Sequence, residues 1–200
     1  MEFEGFPKMA RLNREVLVSE KLDGTNAQLL IGEDGSMLVG SRTRWITPEA
    51  DNMGFAKWAR ANEAELVAGL GPGRHFGEWW GQGIQRNYGL KEKRFSLFNT
   101  GRWHAAGSPA RLVSAPYAAV EKWTAEAPAC CGVVPVLYQG LFSTGAIHEV
   151  LGQLALAGSV AAPGFMKPEG IIVYHIAAGV GFKVTLEGDA LPKSLGGVKE

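Results

Sequence analysis

The stretch Ser19–Gly32, SEKLDGTNAQLLIG, decides the first part of the fold, because it joins two segments that are patterned as β-strands. A single lysine lies between these two segments. The flanking segments, Glu15–Glu20 and Thr25–Ile31, predict strands joined by a turn. Lys21 stands at that turn, followed by a carboxylate, a glycine and an amide. A lysine attacks an electrophile only as the neutral amine, so burial or nearby positive charge must lower its pKa from about 10.4. Alone, the stretch fits a solvated lysine before a turn equally well.

The remaining sequence consists of further short strands, turns and a few helices. Helices are predicted at Asn52–Leu70, Tyr117–Ala125 and Thr144–Ala157, and a loop at Gly101–Pro109. The order predicts an α+β fold of antiparallel strands with covering helices, in one domain spanning residues 1–200. The further predicted strands are Ser36–Ser41, Arg74–Trp80, Arg94–Thr100, Val133–Tyr138, Gly170–His175 and Gly181–Leu186.

Composition narrows the classes of function. The formal net charge is zero and the pI is about 6.9, whereas a protein that coats nucleic acid by charge alone is usually basic. Any contact with nucleic acid must therefore be local, and the basic segment 74–104 offers such a patch. No signal peptide or membrane-spanning run is expected. Cys130 and Cys131 are adjacent, which disfavours a disulfide and offers no metal-binding pair, so a cytoplasmic protein with reduced thiols is expected.

Two pieces of sequence carry groups suited to a nucleotide. In Gly40–Arg44, the arginines after a strand suit a phosphate or a ribose, although a basic strand end on the surface gives the same pattern. In His75–Arg86, Glu78 lies among aromatic residues before a Gly-x-Gly turn. That pattern fits a site where a base rests on a ring, a ribose donates to the carboxylate and Arg86 meets a phosphate. A core strand is the alternative.

Three later residues extend this set. Phe98 lies in the predicted strand Arg94–Thr100, where it can stack on a purine or fill the core. Glu169 immediately precedes one predicted strand and Lys183 lies on the next. Together they suit a divalent metal and a phosphate, and a surface ion pair is the alternative.

In this order, the pieces resemble the motif series of the covalent nucleotidyltransferases, which include polynucleotide ligases and mRNA capping enzymes. EKLDGTN, with Asn26 five residues after Lys21, and FGEWWGQGIQRN resemble the RNA ligase 2 family more than DNA ligases or capping enzymes. The resemblance runs from about Glu15 to Leu186. It implies an ATP-grasp-like adenylation domain, with an α+β fold of antiparallel sheets flanked by helices.

The resemblance also implies a role for each site residue. Lys21 would be the catalytic residue that carries AMP, and Glu169 would bind Mg²⁺ or Mn²⁺. The expected contacts to the nucleotide and its phosphates are Glu20 at the base edge, Asn26 in the metal and phosphate shell, Arg42 and Glu78 on the ribose side, Phe98 on the adenine and Lys183 on the α-phosphate.

The implied activity is ATP-dependent RNA ligation, as in RNA repair in a bacterial or phage-infected cell. A 5′-phosphate end of RNA would be adenylylated and then joined to a 3′-hydroxyl. Two alternatives stay open: a DNA-joining or GTP-using capping-type enzyme, and a module that binds nucleotides or RNA ends without ligation.

The sequence departs from the family pattern in two ways. Only Lys183 stands where the family usually has a K-x-K pair. The sequence also ends at Glu200, without the C-terminal OB-fold or helical domain of relatives, so a partner protein that replaces this domain is one expectation.

Overall fold

The computed structural model describes residues 2–115 and 118–187. Its helices are α1 (Phe55–Ala61), α2 (Glu63–Leu70) and α3 (Thr144–Ala157). Its strands are β1 (Glu15–Lys21), β2 (Thr25–Ile31), β3 (Met37–Ser41), β4 (Gly73–Gly81), β5 (Lys93–Leu97), β6 (Trp103–His104), β7 (Leu112–Ala115), β8 (Ala118–Trp123), β9 (Ala125–Glu126), β10 (Cys131–Val133), β11 (Val136–Leu141), β12 (Gly170–His175) and β13 (Val180–Thr185).

The first main sheet has the order β11-β1-β12-β13, and each neighbouring pair is antiparallel. One face of this sheet is apolar, because Val16 and Val18 of β1 and Ile171 and Val173 of β12 form a core with α3. Side chains alternate along a strand, so Lys21 lies on the opposite face. The apolar alternation of β1 thus directs the lysine away from the helix-covered core.

The second main sheet has the order β10-β5-β4-β2-β3, antiparallel except for the parallel pair of β10 and β5. Helices α1 and α2 cover the face that carries Leu29, and the rings of Phe55 and Trp79 pack there with centroids 5.4 Å apart. Asn26 pairs with Glu78 in the register of β2 and β4, and both alternate to the uncovered face.

A cavity of about 1220 Å³ lies between the two uncovered faces. Lys21 and Ile172 contribute to its wall from the first sheet, and Asn26, Phe76 and Glu78 contribute from the second. The two helix-covered faces provide the cores, so the polar side chains of both sheets are directed at the space between them. Within the described ranges, no helix is long and apolar enough to cross a membrane.

The predicted helix Tyr117–Ala125 is wrong. Residues 118–123 form β8, which pairs antiparallel with β7, and Tyr117 lies outside the described residues. The alanines of this segment favour a helix locally, but pairing with the preceding strand supplies its backbone hydrogen bonds. Thr124 and the short strand β9 follow. The predicted loop Gly101–Pro109 contains the short strand β6, which pairs in parallel with β9.

Two further elements are divided in the structure. The predicted helix Asn52–Leu70 is two helices, because Asn62 has non-helical dihedrals (φ −110°, ψ 14°) between them. The predicted strand Val133–Tyr138 separates at Pro135 into β10 of one sheet and β11 of the other. Proline lacks the N–H that a central strand needs, and its carbonyl instead accepts from the backbone N–H of Glu20 at 2.9 Å.

Candidate active site

Lys21 and Glu169 form an ion pair inside the cavity. The Lys21 Nζ lies 2.5 Å from Glu169 Oε2, and the two side chains are 23% and 18% exposed. Lys21 ends β1 opposite Gly170 of β12, so the strand register brings the preceding glutamate beside the amine. Gly170 has φ 153°, and a Cβ there would lie 2.7 Å from the Thr185 Cα, so glycine is needed where β12 begins against β13.

Glu78 faces this pair from the other sheet. Its Oε1 accepts from the Gly24 N–H at 3.0 Å, and its Oε2 accepts from Asn26 Nδ2 at 3.1 Å. Burial raises the pKa of Glu78 to about 7, against the opposing effects of the Lys21 ammonium and the Gly24 N–H. The carboxylate of Glu169 acts in the same direction as burial. The site is therefore a lysine among closely spaced carboxylates.

The turn after Lys21 is fixed by contacts with strand β4 and with the segment that follows β4 in the sequence. A Cβ on Gly24 would overlap the Trp79 carbonyl oxygen and lie 2.7 Å from the Trp80 Cβ, so this glycine permits a close approach of two backbones. The backbone N–H of Asp23 donates to the Tyr88 hydroxyl at 2.8 Å.

The carboxylate of Asp23 is also engaged, because Arg86 donates to it at 3.0 Å. Arg86 donates in addition to the Lys167 carbonyl at 3.2 Å. The sequence suggested a phosphate contact for Arg86. In the structure Arg86 and the Asp23 carboxylate bind each other and brace the turn. The sequence offered no signal for this pairing, since 63 residues separate them.

Glu20 has a different environment from its neighbour Lys21. Its side chain is 1% exposed, and Oε1 accepts from the Ser159 hydroxyl at 2.5 Å. Its Oε2 accepts from the backbone N–H groups of Val160 and Ala161, each at 2.9 Å. Burial raises the pKa of Glu20, and these hydrogen bonds act against that rise. This carboxylate holds the loop after α3, and the contact with a base edge expected from the sequence stays a prediction.

Arg42, Phe98 and Lys183 lie at the cavity wall from three different strands or strand ends. Arg42 follows β3 and is exposed, and Lys183 is exposed on β13 opposite Ile172. Phe98 follows β5 and is 40% exposed, so it is not the buried core residue of the alternative interpretation. Every predicted site residue contributes to the wall of this one cavity: Glu20, Lys21, Asn26, Arg42, Glu78, Phe98, Glu169 and Lys183.

The donor atoms suit a hard divalent cation only in part. Among the described residues, no group of three or more His, Cys, Asp or Glu side chains could hold a metal. Glu169 and Glu78 supply carboxylate oxygens and Asn26 supplies an amide oxygen. Mg²⁺ typically takes one or two carboxylates and completes its shell with water and substrate phosphates. The residues present therefore fit a metal that arrives with a phosphate ligand.

Comparison with known proteins bears on the family and the fold. A family model described as RNA ligase matches residues 14–185. A search of curated proteins finds no significant match. A Naegleria gruberi RNA ligase variant solved with ATP and Mn is 20% identical, with a TM-score of 0.55 over 88% of this chain and 51% of that chain. Another, solved with AMP and Mn, is also 20% identical, with a TM-score of 0.55 over 87% and 50%.

These structural matches establish the fold. The chain has a mixed α+β fold of mostly antiparallel sheets with few helices, similar to the nucleotidyltransferase domain of an RNA ligase. It spans about half the length of the solved structures it matches.

Proposed function

The chain belongs to the RNA ligase family, and we propose that it is an ATP-dependent RNA ligase that works through a lysyl-AMP intermediate on Lys21. The observation that carries the proposal is the position of Lys21. Its amine lies in the cavity between the sheets, held 2.5 Å from Glu169, and the other predicted nucleotide contacts lie on the same wall.

In the first step, the Lys21 Nζ attacks the α-phosphorus of ATP. A nitrogen–phosphorus bond forms as the bond from that phosphorus to the bridging oxygen breaks, and pyrophosphate leaves. The ammonium must first lose a proton, and Glu169 Oε2 is placed to accept it at 2.5 Å. The lysine is thereby both positioned and activated by one neighbouring carboxylate.

In the next steps, the AMP moves to RNA. An oxygen of a 5′-phosphate end attacks the lysyl-AMP phosphorus, the nitrogen–phosphorus bond breaks, and the amine of Lys21 recovers a proton. A 3′-hydroxyl then attacks the activated 5′-phosphorus and expels AMP. Catalysis of this kind depends mainly on positioning and on stabilising negative charge.

The remaining wall residues would bind the nucleotide. Phe98 exposes a ring that suits stacking on adenine. Glu78 would accept from a ribose hydroxyl. Arg42 and Lys183 bring positive charge to the wall, where the phosphates of ATP would lie.

A metal ion would be held by Glu169, with Glu78 and Asn26 beside it. When bound, Mg²⁺ or Mn²⁺ would neutralise phosphate charge.

The proposal is tested by incubating the protein with radiolabelled ATP, GTP or NAD and a divalent metal. We expect covalent label from ATP, its loss in Lys21→Ala and its retention in Lys57→Ala, an exposed lysine on α1. Preferential labelling by GTP would instead indicate a capping-type enzyme. The labelled protein is then given 5′-phosphorylated RNA or DNA strands of one sequence. Joined RNA supports the proposal, whereas joined DNA alone or AMP uptake without any joined product contradicts it.

A further inference from the structure

Exposed rings and an arginine lie on the cavity-facing side of the second sheet. Trp45 is 46% exposed and Phe76 is 51% exposed. The guanidinium carbon of Arg74 lies 5.4 Å from the centroid of the Trp45 ring and 6.0 Å from that of Phe76. We call Trp45, Arg74 and Phe76 the ring platform. Large rings that remain exposed side by side on a folded domain indicate a binding surface.

The ring platform is held in place by its neighbours. A Cβ on Gly40 would lie 3.0 Å from the Trp45 ring, so the indole rests directly on this glycine backbone. Gln28 accepts from Arg74 and donates to the Ser41 carbonyl at 3.0 Å. The arginine is thereby fixed beside the rings before any ligand arrives, which lowers the entropy cost of binding.

The ring platform continues outward from the proposed catalytic centre. Glu78, Phe76 and Arg74 alternate along β4 and share one face. At a rise of about 3.3 Å per residue, Phe76 lies about 7 Å and Arg74 about 13 Å along the strand from Glu78. Both line the same cavity as Lys21, and the backbone N–H of Phe98 donates to the Phe76 carbonyl at 3.0 Å.

We propose that the ring platform binds unpaired RNA nucleotides next to the end that receives AMP, by stacking of bases on Trp45 and Phe76. This inference rests on the proposed function, since it assigns the position of its RNA substrate. Aromatic faces bind any base by stacking, and an arginine beside them adds attraction to phosphates and to the bases. Arg74 lies beside the Trp45 ring, and Arg42 and Arg44 shortly precede Trp45 in the sequence, in a protein whose formal net charge is zero.

The test measures the dissociation constant of a fluorescent, 5′-phosphorylated single-stranded RNA 12-mer by anisotropy at several salt concentrations. Trp45→Ala and Phe76→Ala should each weaken binding by about 5- to 100-fold. The salt dependence of the dissociation constant should stay unchanged, because no phosphate contact is removed. The matched control is Trp123→Ala, which removes a 66%-exposed indole from β8 and should leave RNA affinity unchanged.

Two further readouts separate the ring platform from the nucleotide pocket. The rate of AMP uptake from ATP should be the same in Trp45→Ala as in the unaltered protein, because Trp45 lies on the far side of Phe76 from Lys21. A blunt RNA duplex should bind both ring variants and the unaltered protein equally, because its bases are already stacked. Unchanged affinity for single-stranded RNA in both ring variants would overturn the proposal, as would a parallel loss of AMP uptake in Trp45→Ala or an equal loss of RNA affinity in Trp123→Ala. If the unaltered protein takes up no AMP, the proposed function fails, and the anisotropy result still decides whether the rings bind RNA.

Discussion

Replacing Glu78 by glutamine should change how the stability of the protein depends on pH. The Glu78 side chain is 7% exposed, and its pKa is about 7 instead of the ordinary 4.5. Burial is the main cause, and the charge of Glu169 adds to it. The folded state therefore holds a proton on this carboxyl over a pH range in which the unfolded chain has lost it.

The sign and size follow from that difference. The protonated carboxyl favours the folded state fully below about pH 4.5, and this contribution is lost as the pH rises through about 7. A pKa of about 7 in place of 4.5 corresponds to about 3 kcal/mol. The glutamine variant lacks this titration. Its free energy of unfolding should therefore increase relative to the unaltered protein by about 3 kcal/mol between pH 4.5 and pH 8.

The assay is urea denaturation of both proteins at pH 4.5, 6 and 8, comparing the difference between them at each pH, so that other titrating groups cancel. Glu149→Gln, which alters an exposed carboxylate on α3, is the control and should change stability little at any pH. A difference between Glu78→Gln and the unaltered protein that stays constant from pH 4.5 to pH 8 would refute the burial argument.

Three further substitutions test the surroundings of Lys21. Glu20→Ala leaves a buried hydroxyl and two backbone N–H groups without their acceptor. The free energy of unfolding, measured by urea denaturation, should fall by about 3 kcal/mol. A loss below about 1 kcal/mol would contradict the role of Glu20 in holding the loop after α3. Gly24→Ala should cost about 1–3 kcal/mol because its Cβ overlaps the backbone of β4, whereas Gly152→Ala on α3, where a Cβ meets nothing within 4 Å, should not destabilise the protein. Glu169→Gln should slow AMP transfer to Lys21 by about 10²- to 10⁴-fold in single-turnover labelling, and an unchanged rate would exclude it as the proton acceptor.

Much of the fold could be predicted from local pattern. Thr25–Ile31 and Gly170–His175 were predicted as strands with the bounds that the structure shows, and Thr144–Ala157 was predicted as the helix that is α3. These segments bury one face each, so their pattern is enforced by the core. Tyr117–Ala125 failed because its partner strand, not its own composition, determines its conformation.

The ordered motifs singled out Lys21, Glu78 and Glu169, and the structure brings these residues to the wall of one cavity. Their roles in binding and catalysis stay predictions. The engagement of Glu20 by the loop after α3 depends on contacts about 140 residues apart, which no local pattern reports. The pairing of Arg86 with the turn is of the same kind.

The most direct test of the central claim is mass spectrometry of the purified protein after incubation with ATP and Mg²⁺ or Mn²⁺, followed by peptide mapping. The account predicts a mass increase of one AMP, located on Lys21 and absent from Lys21→Ala. An unmodified protein, or AMP attached to another residue while Lys21 remains free, would contradict it.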